Sequence, residues 1–165
     1  MKYFTMSECT RSGTAHSKGI DNTPNAEHMA HITEAIETLI DPLCEAWERH
    51  CLESKLGKPG ICISSGYRGP ELNKAVGGSP TSAHCHGYAF DLVPTNGKMM
   101  EFKRFCHDFL ADKAFDQLIS KGEDSKGMPL WMHVGYKHPS GEQRHQCISM
   151  IGGKHFPFRD INSDR

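Results

Sequence analysis

Apolar residues in the first third of the chain recur at the spacing of one helix face. The recurrence runs over residues 26–51 and predicts one amphipathic helix, because positions three and four residues apart share a side of a helix. Its apolar positions are Met29, Ile32, Ile36, Leu39, Ile40, Leu43 and Trp47. Pro42 falls inside this pattern. Since proline lacks the backbone N–H and its ring crowds the preceding turn, we expect a kink or a local break there.

The rest of the chain alternates short apolar runs with turn residues. Strands are predicted over 61–64, 65–70 (ending in a turn), 88–93, 115–119 and 130–136, and helices over 71–76 and 98–111. Helices precede and interleave with the strands, without a regular strand–helix–strand period. The pattern therefore predicts an α+β domain, with a small antiparallel sheet flanked by helices.

The composition is that of an ordinary folded protein. The 165 residues have a mass of 18.4 kDa, and 37% are hydrophobic and 24% charged, which fits one domain with its own core. A net charge of −1 disfavours a nucleic-acid partner. No stretch approaches the roughly 20 apolar residues of a membrane helix, and the first residues lack the apolar core of a signal peptide. We therefore expect no membrane span, a cytoplasmic site of synthesis and a monomer.

The chain contains seven cysteines, and no C-x-x-C motif occurs among them. An odd number without that motif indicates neither a disulfide framework nor a cysteine zinc ribbon. We expect most of these thiols to be reduced and buried, as free cysteines commonly are.

Three polar residues, His84, Asp91 and His133, are candidate metal ligands. Asp91 and His133 each lie in an apolar run with the character of a buried strand, and His84 precedes Asp91 by seven residues. A buried carboxylate needs a cation, hydrogen-bond donors or a metal ion. Two imidazoles and one carboxylate match a catalytic zinc site with an open fourth position. By spacing alone, a structural aspartate and core or edge histidines are the more common interpretation of such residues.

Several short motifs occur together around these residues. They are Ser82-x-His84-x-x-Gly87-x-Ala89-x-Asp91, Trp131-x-His133 and the stretch SSGYRGPELN over 64–73. Their combination resembles the zinc D-alanyl-D-alanine carboxypeptidases and L-alanyl-D-glutamate endopeptidases, which share the hedgehog/DD-peptidase fold. Residues 75–79 and 115–119 are similar to the branch of that family found in phages and prophages. The resemblance gives a peptidase domain over 1–150 and leaves 151–165 as a C-terminal tail of unassigned role.

The resemblance implies a role for each matching position. His84, Asp91 and His133 would bind Zn²⁺. Arg68 would bind a substrate carboxylate or polarise the scissile carbonyl, tasks that suit its planar guanidinium. Ser82 would hydrogen-bond near the metal or the substrate, with capping of the local turn as the alternative.

The chain departs from the family pattern at the general base. The positions where acids are common in the family carry Leu130, three residues before His133, and Lys121, two residues after the stretch 115–119. Glu123 follows closely, and we predict that it serves as the catalytic base. A solvated loop charge is the alternative for Glu123.

The activity that the resemblance implies is zinc-dependent hydrolysis of an amide bond in peptidoglycan stem peptides, by carboxypeptidase or endopeptidase action. The enzyme would reach the cell wall after release, in a phage or prophage setting. The alternative, motivated by Leu130 and Lys121, is a non-catalytic zinc-containing module that binds cell-wall peptides. A hedgehog-like signalling protein is a third hypothesis, which the lack of an export signal and of a disulfide pattern disfavours.

Overall fold

The long helix predicted over 26–51 is present, but it is distorted just before Pro42. In the computed structural model, which describes residues 1–159, α3 (Ala26–Ala35) continues through a π-helical turn (Ile36–Ile40) into α4 (Asp41–Glu53). The N–H at the end of this turn donates to a carbonyl five residues back rather than four. Because Pro42 has no N–H to donate and its ring needs space, this wider turn accommodates it. The predicted distortion at Pro42 is confirmed.

The remaining elements are short helices and six strands. The helices are α1 (Met6–Thr10), α2 (Gly13–Lys18), α5 (Pro70–Ala75), a 3₁₀ turn (Ala83–His86) and α6 (Met99–Leu110). The strands are β1 (Ile61–Ser65), β2 (Ala89–Pro94), β3 (Gln117–Lys121), β4 (Trp131–Gly135), β5 (Gln146–Ile151) and β6 (Lys154–Pro157). No helix among the described residues is long and apolar enough to cross a membrane.

The strands form one sheet in the order β1-β2-β4-β3-β5-β6. Neighbouring strands are antiparallel except β3 and β5, which are parallel. The loop over 136–145 carries the chain from the end of β4 to the far side of β3, so that β5 starts at the same end as β3. The α+β class is therefore confirmed, and the sheet is mixed rather than wholly antiparallel.

The two faces of the central strands have different surroundings. Phe90 of β2 and Val134 of β4 pair in one row and are fully buried in the core. Asp91 and His133 pair in the next row. Since successive side chains of a strand point to opposite faces, this second row faces away from the core.

The core lies between the sheet and the helices α3, α4 and α6. Trp47 of α4 and Phe102 of α6 are fully buried, and their rings meet edge-on with centroids 5.0 Å apart. Four of the seven cysteines are buried and three are partly buried, which confirms the expectation that most are buried. The helices thus cover one face of the sheet and leave the row through Asp91 and His133 on the other.

The hairpin formed by β5 and β6 has no counterpart in the sequence-based prediction. Every residue of β6 is exposed, so the strand lacks the alternation of apolar and polar residues by which strands are recognised. The domain boundary placed at residue 150 falls within β5. Of the tail assigned to 151–165, residues 160–165 lie outside the described residues.

Gly87 provides a test of the turn that leads into β2. It has a φ of 80°, and a Cβ there would lie 2.7 Å from the His28 carbonyl oxygen and 2.8 Å from the Ile32 side chain. Gly97 has a similar φ of 73° but open space around it. Both alanine substitutions carry the left-handed backbone penalty, of about 1–2 kcal/mol. We expect Gly87→Ala to lower the free energy of unfolding by at least about 1 kcal/mol more than Gly97→Ala, because only Gly87 is crowded.

Chemical denaturation of the two variants and the wild type measures this difference. Equal losses of stability in the two variants would show that the crowding at Gly87 is absent.

Candidate metal centre

Asp91 and His133 face each other across two neighbouring strands. The register of β2 and β4 places their Cα atoms directly opposite each other. Opposed residues of an antiparallel pair have their side chains on the same face of the sheet. His84 lies in the 3₁₀ turn directly before β2, and Gly87 ends that turn in a left-handed conformation. Residues 49 positions apart, His84 and His133, are thereby brought into contact.

One nitrogen of each imidazole and one carboxylate oxygen form a nearly equilateral triangle. His84 Nε2 lies 3.2 Å from His133 Nδ1 and 3.3 Å from Asp91 Oδ1, and His133 Nδ1 lies 3.1 Å from that oxygen. A tetrahedral zinc ion with ligands at about 2.0–2.1 Å needs ligand atoms about 3.3 Å apart. All three residues are buried. Their ligand atoms lie close enough together to hold a metal ion, and no other such group of His, Cys, Asp or Glu side chains occurs within residues 1–159.

Backbone contacts orient the His84 ring. Its Nδ1 lies 2.7 Å from the Gly66 carbonyl oxygen. Because a carbonyl only accepts hydrogen bonds, Nδ1 carries the proton and Nε2 presents its lone pair to the triangle. Gly66 is itself packed so tightly against the Cys9 carbonyl that a Cβ would overlap it, and the N–H of Tyr67 donates to the same carbonyl. The end of α1 therefore helps to fix the orientation of a candidate ligand.

The ionisation of Asp91 and His133 suits metal binding. Burial alone would raise the pKa of Asp91, but the adjacent His84 and His133 together hold it below its usual value. Burial lowers the pKa of His133, more than the Asp91 carboxylate raises it. A charged carboxylate and a neutral imidazole are the forms in which these side chains bind a metal ion.

A cleft of about 600 Å³ opens over the triangle, and Arg68 forms part of its lining. The backbone N–H of Arg68 donates to the His84 carbonyl at 3.1 Å, which ties its position to that of a candidate ligand. Its Nε makes no hydrogen bond within residues 1–159. The structure therefore brings Arg68 to the cleft, and its contact with a substrate stays a prediction.

Ser82 also borders the cleft, and its hydroxyl has a structural partner. The Ser82 Oγ accepts a hydrogen bond from the His84 N–H at 3.2 Å and caps the 3₁₀ turn. This contact supports the turn-capping alternative. A direct contact between Ser82 and substrate stays a prediction.

Glu123 does not lie at the triangle. Its carboxylate accepts hydrogen bonds from Lys103 Nζ at 2.8 Å, Ser149 Oγ at 2.6 Å and Arg159 Nε at 2.8 Å. Lys103 belongs to α6, so the carboxylate lies on the helical side of the sheet, opposite Asp91. The left-handed Gly122, with a φ of 63°, turns the chain just before it. The structure supports neither the prediction that Glu123 is the general base nor the solvated-loop alternative, because its side chain is fully buried.

Lys121, at one of the usual acid positions, lies in the cleft, although the sequence predicted no role for it. It pairs across the sheet with Trp131, and both residues line the cleft. Strand parity could have revealed this, because Lys121 shares a face of β3 with Ile119, the cross-strand neighbour of His133. Leu130, at the other usual acid position, is 66% exposed.

The carboxylates that line the cleft within residues 1–159 are Asp91 and Asp116. Asp116 accepts two hydrogen bonds from the Arg144 guanidinium, at 2.8 and 2.9 Å. These bonds and the positive charge of Arg144 outweigh burial and lower the pKa of Asp116. Asp91 is a member of the triangle, so neither carboxylate is free to accept a proton.

The chain belongs to the peptidase M15 family. The family model, described as Peptidase M15, matches residues 2–121. Peptidases of this family are zinc-dependent, and the matched segment contains His84 and Asp91. His133 lies beyond the matched segment and joins the triangle through the pairing of β2 with β4. A search among curated proteins found no match.

The placement of Glu123 leads to a stability prediction. We expect Glu123→Ala to lower the free energy of unfolding by about 3–5 kcal/mol, because Lys103 would stay buried without its counter-charge. Zinc content per folded molecule should not change. Denaturation and elemental analysis measure both quantities, with the exposed Glu142→Ala as the control. Loss of zinc at unchanged stability would contradict this placement.

Proposed function

We propose that the protein is a zinc-dependent peptidase that hydrolyses an amide bond in peptidoglycan stem peptides. The observation that carries the proposal is the buried triangle of two imidazole nitrogens and one carboxylate oxygen beneath an open cleft. The cleft volume, about 600 Å³, lies within the usual range for ligand sites. Membership of the M15 family supports the metallopeptidase assignment.

Motif resemblance supports the cell-wall substrate. The stretches over 64–73 and 82–91 are similar to those of peptidases that cleave D-alanyl-D-alanine or L-alanyl-D-glutamate bonds. Residues 75–79 and 115–119 resemble the phage-type branch of the same family. We therefore infer a role in cell-wall lysis or entry, with action after release from the cell.

The residues of the triangle would hold the zinc ion through His84 Nε2, His133 Nδ1 and Asp91 Oδ1. When bound, zinc polarises a carbonyl group and lowers the pKa of a bound water molecule. Arg68 would hold a substrate carboxylate, or the carbonyl oxygen as negative charge develops on it. The hydrogen bond to Gly66 would keep His84 in the tautomer that this arrangement requires.

A second candidate function is a zinc-containing module that binds cell-wall peptides without cleaving them. General acid–base catalysis typically contributes about 10²–10⁴-fold to a rate. The carboxylates lining the cleft within the described residues are engaged, Asp91 in the triangle and Asp116 with Arg144. This observation favours binding without efficient proton transfer.

The metal assignment predicts a residue-specific loss of zinc. We expect the wild type to bind one zinc ion per chain and His133→Ala to bind it more than about 100-fold more weakly, because removal of a ligand exceeds the 10–100-fold cost of changing an outer-shell partner. His138→Ala is the matched control, since His138 lines the same cleft but lies outside the triangle. Elemental analysis and competition with a zinc chelator measure both. Equal affinity in wild type and His133→Ala would mean that the ligand assignment is wrong.

The peptidase assignment predicts a cleavage product from muropeptides. We expect the zinc-loaded wild type and His138→Ala to release the same product, and His133→Ala to release none, because only His133 belongs to the triangle. Mass spectrometry of the digest identifies the bond. A wild-type protein that holds zinc and binds muropeptides but gives no product would favour the binding module.

A further inference from the structure

Two cations of the cleft have no anionic partner in the part of the chain that the structure describes. Arg68 and Lys121 both line the cleft. Neither forms an ion pair within residues 1–159, although every other buried or half-buried cation discussed above does: Lys103 and Arg159 with Glu123, and Arg144 with Asp116. Taking a cation partly out of water is costly without a counter-charge. These two side chains therefore have unmet capacity for an anion.

The surroundings of Lys121 support this reading. Its side chain is partly buried on the cleft face of β3, and burial lowers its pKa. The Asp91 carboxylate acts in the opposite direction, and Arg68 adds to the lowering, so all three groups share one electrostatic environment. Asp91 is already shared by two imidazoles at 3.1 and 3.3 Å. It cannot also neutralise two cations.

Two residues of the lining carry buried hydrogen-bond donors that have no partner among the described residues. The Nε of Arg68 and the Nε1 of Trp131, the cross-strand neighbour of Lys121, have no hydrogen-bond acceptor within residues 1–159. Arginine and lysine groups with free donors bind carboxylates through charge-assisted hydrogen bonds, which are stronger than neutral ones. A carboxylate is therefore the group that this part of the cleft accommodates best.

We propose that Lys121 acts with Arg68 as a two-cation subsite that binds a substrate carboxylate beside the metal centre. This inference rests on the proposed function and narrows its substrate class to peptides with a free carboxylate on the residue that follows the scissile amide. Two stem-peptide groups supply that chemistry. One is the C-terminal carboxylate of a D-alanyl-D-alanine end, and the other is the α-carboxylate of the D-glutamate that follows L-alanine.

Binding of matched peptide pairs to the zinc-loaded full chain tests the subsite. The first pair is N-acetyl-D-alanyl-D-alanine and its C-terminal amide. The second is N-acetyl-L-alanine joined through its carbonyl to D-glutamate, and the same compound with the α-carboxylate converted to an amide. Within one pair we expect the carboxylate to bind at least about tenfold more tightly than the amide, since one charge-assisted hydrogen bond contributes that much. The pair that shows the preference identifies the source of the carboxylate.

Three variants assign that preference to Lys121. Lys121→Met should remove most of it, and Lys121→Arg should retain it. Lys126→Met, which removes the same charge at an exposed site outside the cleft, should leave it unchanged. Zinc content and thermal stability, measured for each variant, show that the fold and the metal centre are intact.

The outcomes separate this inference from the proposed function. Equal affinities for carboxylate and amide in both pairs, or an undiminished preference in folded Lys121→Met, would overturn the subsite even if muropeptides are cleaved. A carboxylate preference that depends on Lys121, in a protein without turnover, would support the subsite and refute the peptidase.

Discussion

The neutralisation of one buried carboxylate determines how the site is built. Asp91 lies in β2 between Phe90 and Leu92, which are fully buried. Strand alternation points its carboxylate away from them and toward His84 and His133. Loss of either imidazole would remove one of the two groups that face this buried carboxylate, and a buried charge that loses part of its compensation destabilises the fold. Strands β2 and β4 therefore contribute core residues on one face and the candidate ligands on the other. The packing of the core and the geometry of the site consequently depend on the same register between these two strands.

The sheet separates this centre from a second buried set of charges. Glu123, Lys103 and Arg159 meet on the helical side, where Glu123 connects α6 to the segment that follows β6. His155 of β6 lines the cleft on the other side. The hairpin formed by β5 and β6 is thus held in place by an ion pair behind the sheet while it completes the wall in front of it. The C-terminal segment is anchored by this charge and also by Phe158, which packs against the core and stacks on His107 with ring centroids 4.5 Å apart.

The sequence predicted those features whose signal is local. A carboxylate inside an apolar run, as at Asp91, is anomalous wherever the run folds, and Pro42 distorts a helix that continues through it. The predicted position of Glu123 beside the metal centre was wrong. The left-handed Gly122 turns the chain after Lys121, so that closeness along the sequence does not reveal which face of the sheet Glu123 lies on. β6 was missed because all of its residues are exposed, which removes the alternation that marks a strand. Contacts between distant segments, such as that of Arg159 with Glu123, produce no repeating pattern in the sequence from which they could be predicted.

The positive charge of Lys121 bears on both candidate functions, because it affects substrate binding and proton transfer in opposite ways. A carboxylate at this point of the cleft would accept a proton but would repel an anionic substrate. A lysine there attracts the anion but leaves the proton without a free carboxylate to accept it among the described cleft residues. Binding that is equally strong in the ground state and the transition state lowers KM without raising kcat. A slow peptidase and a peptide-binding module are therefore the two ends of one physical range, and the position of this protein within it depends on which group takes the proton when Lys121 binds the substrate.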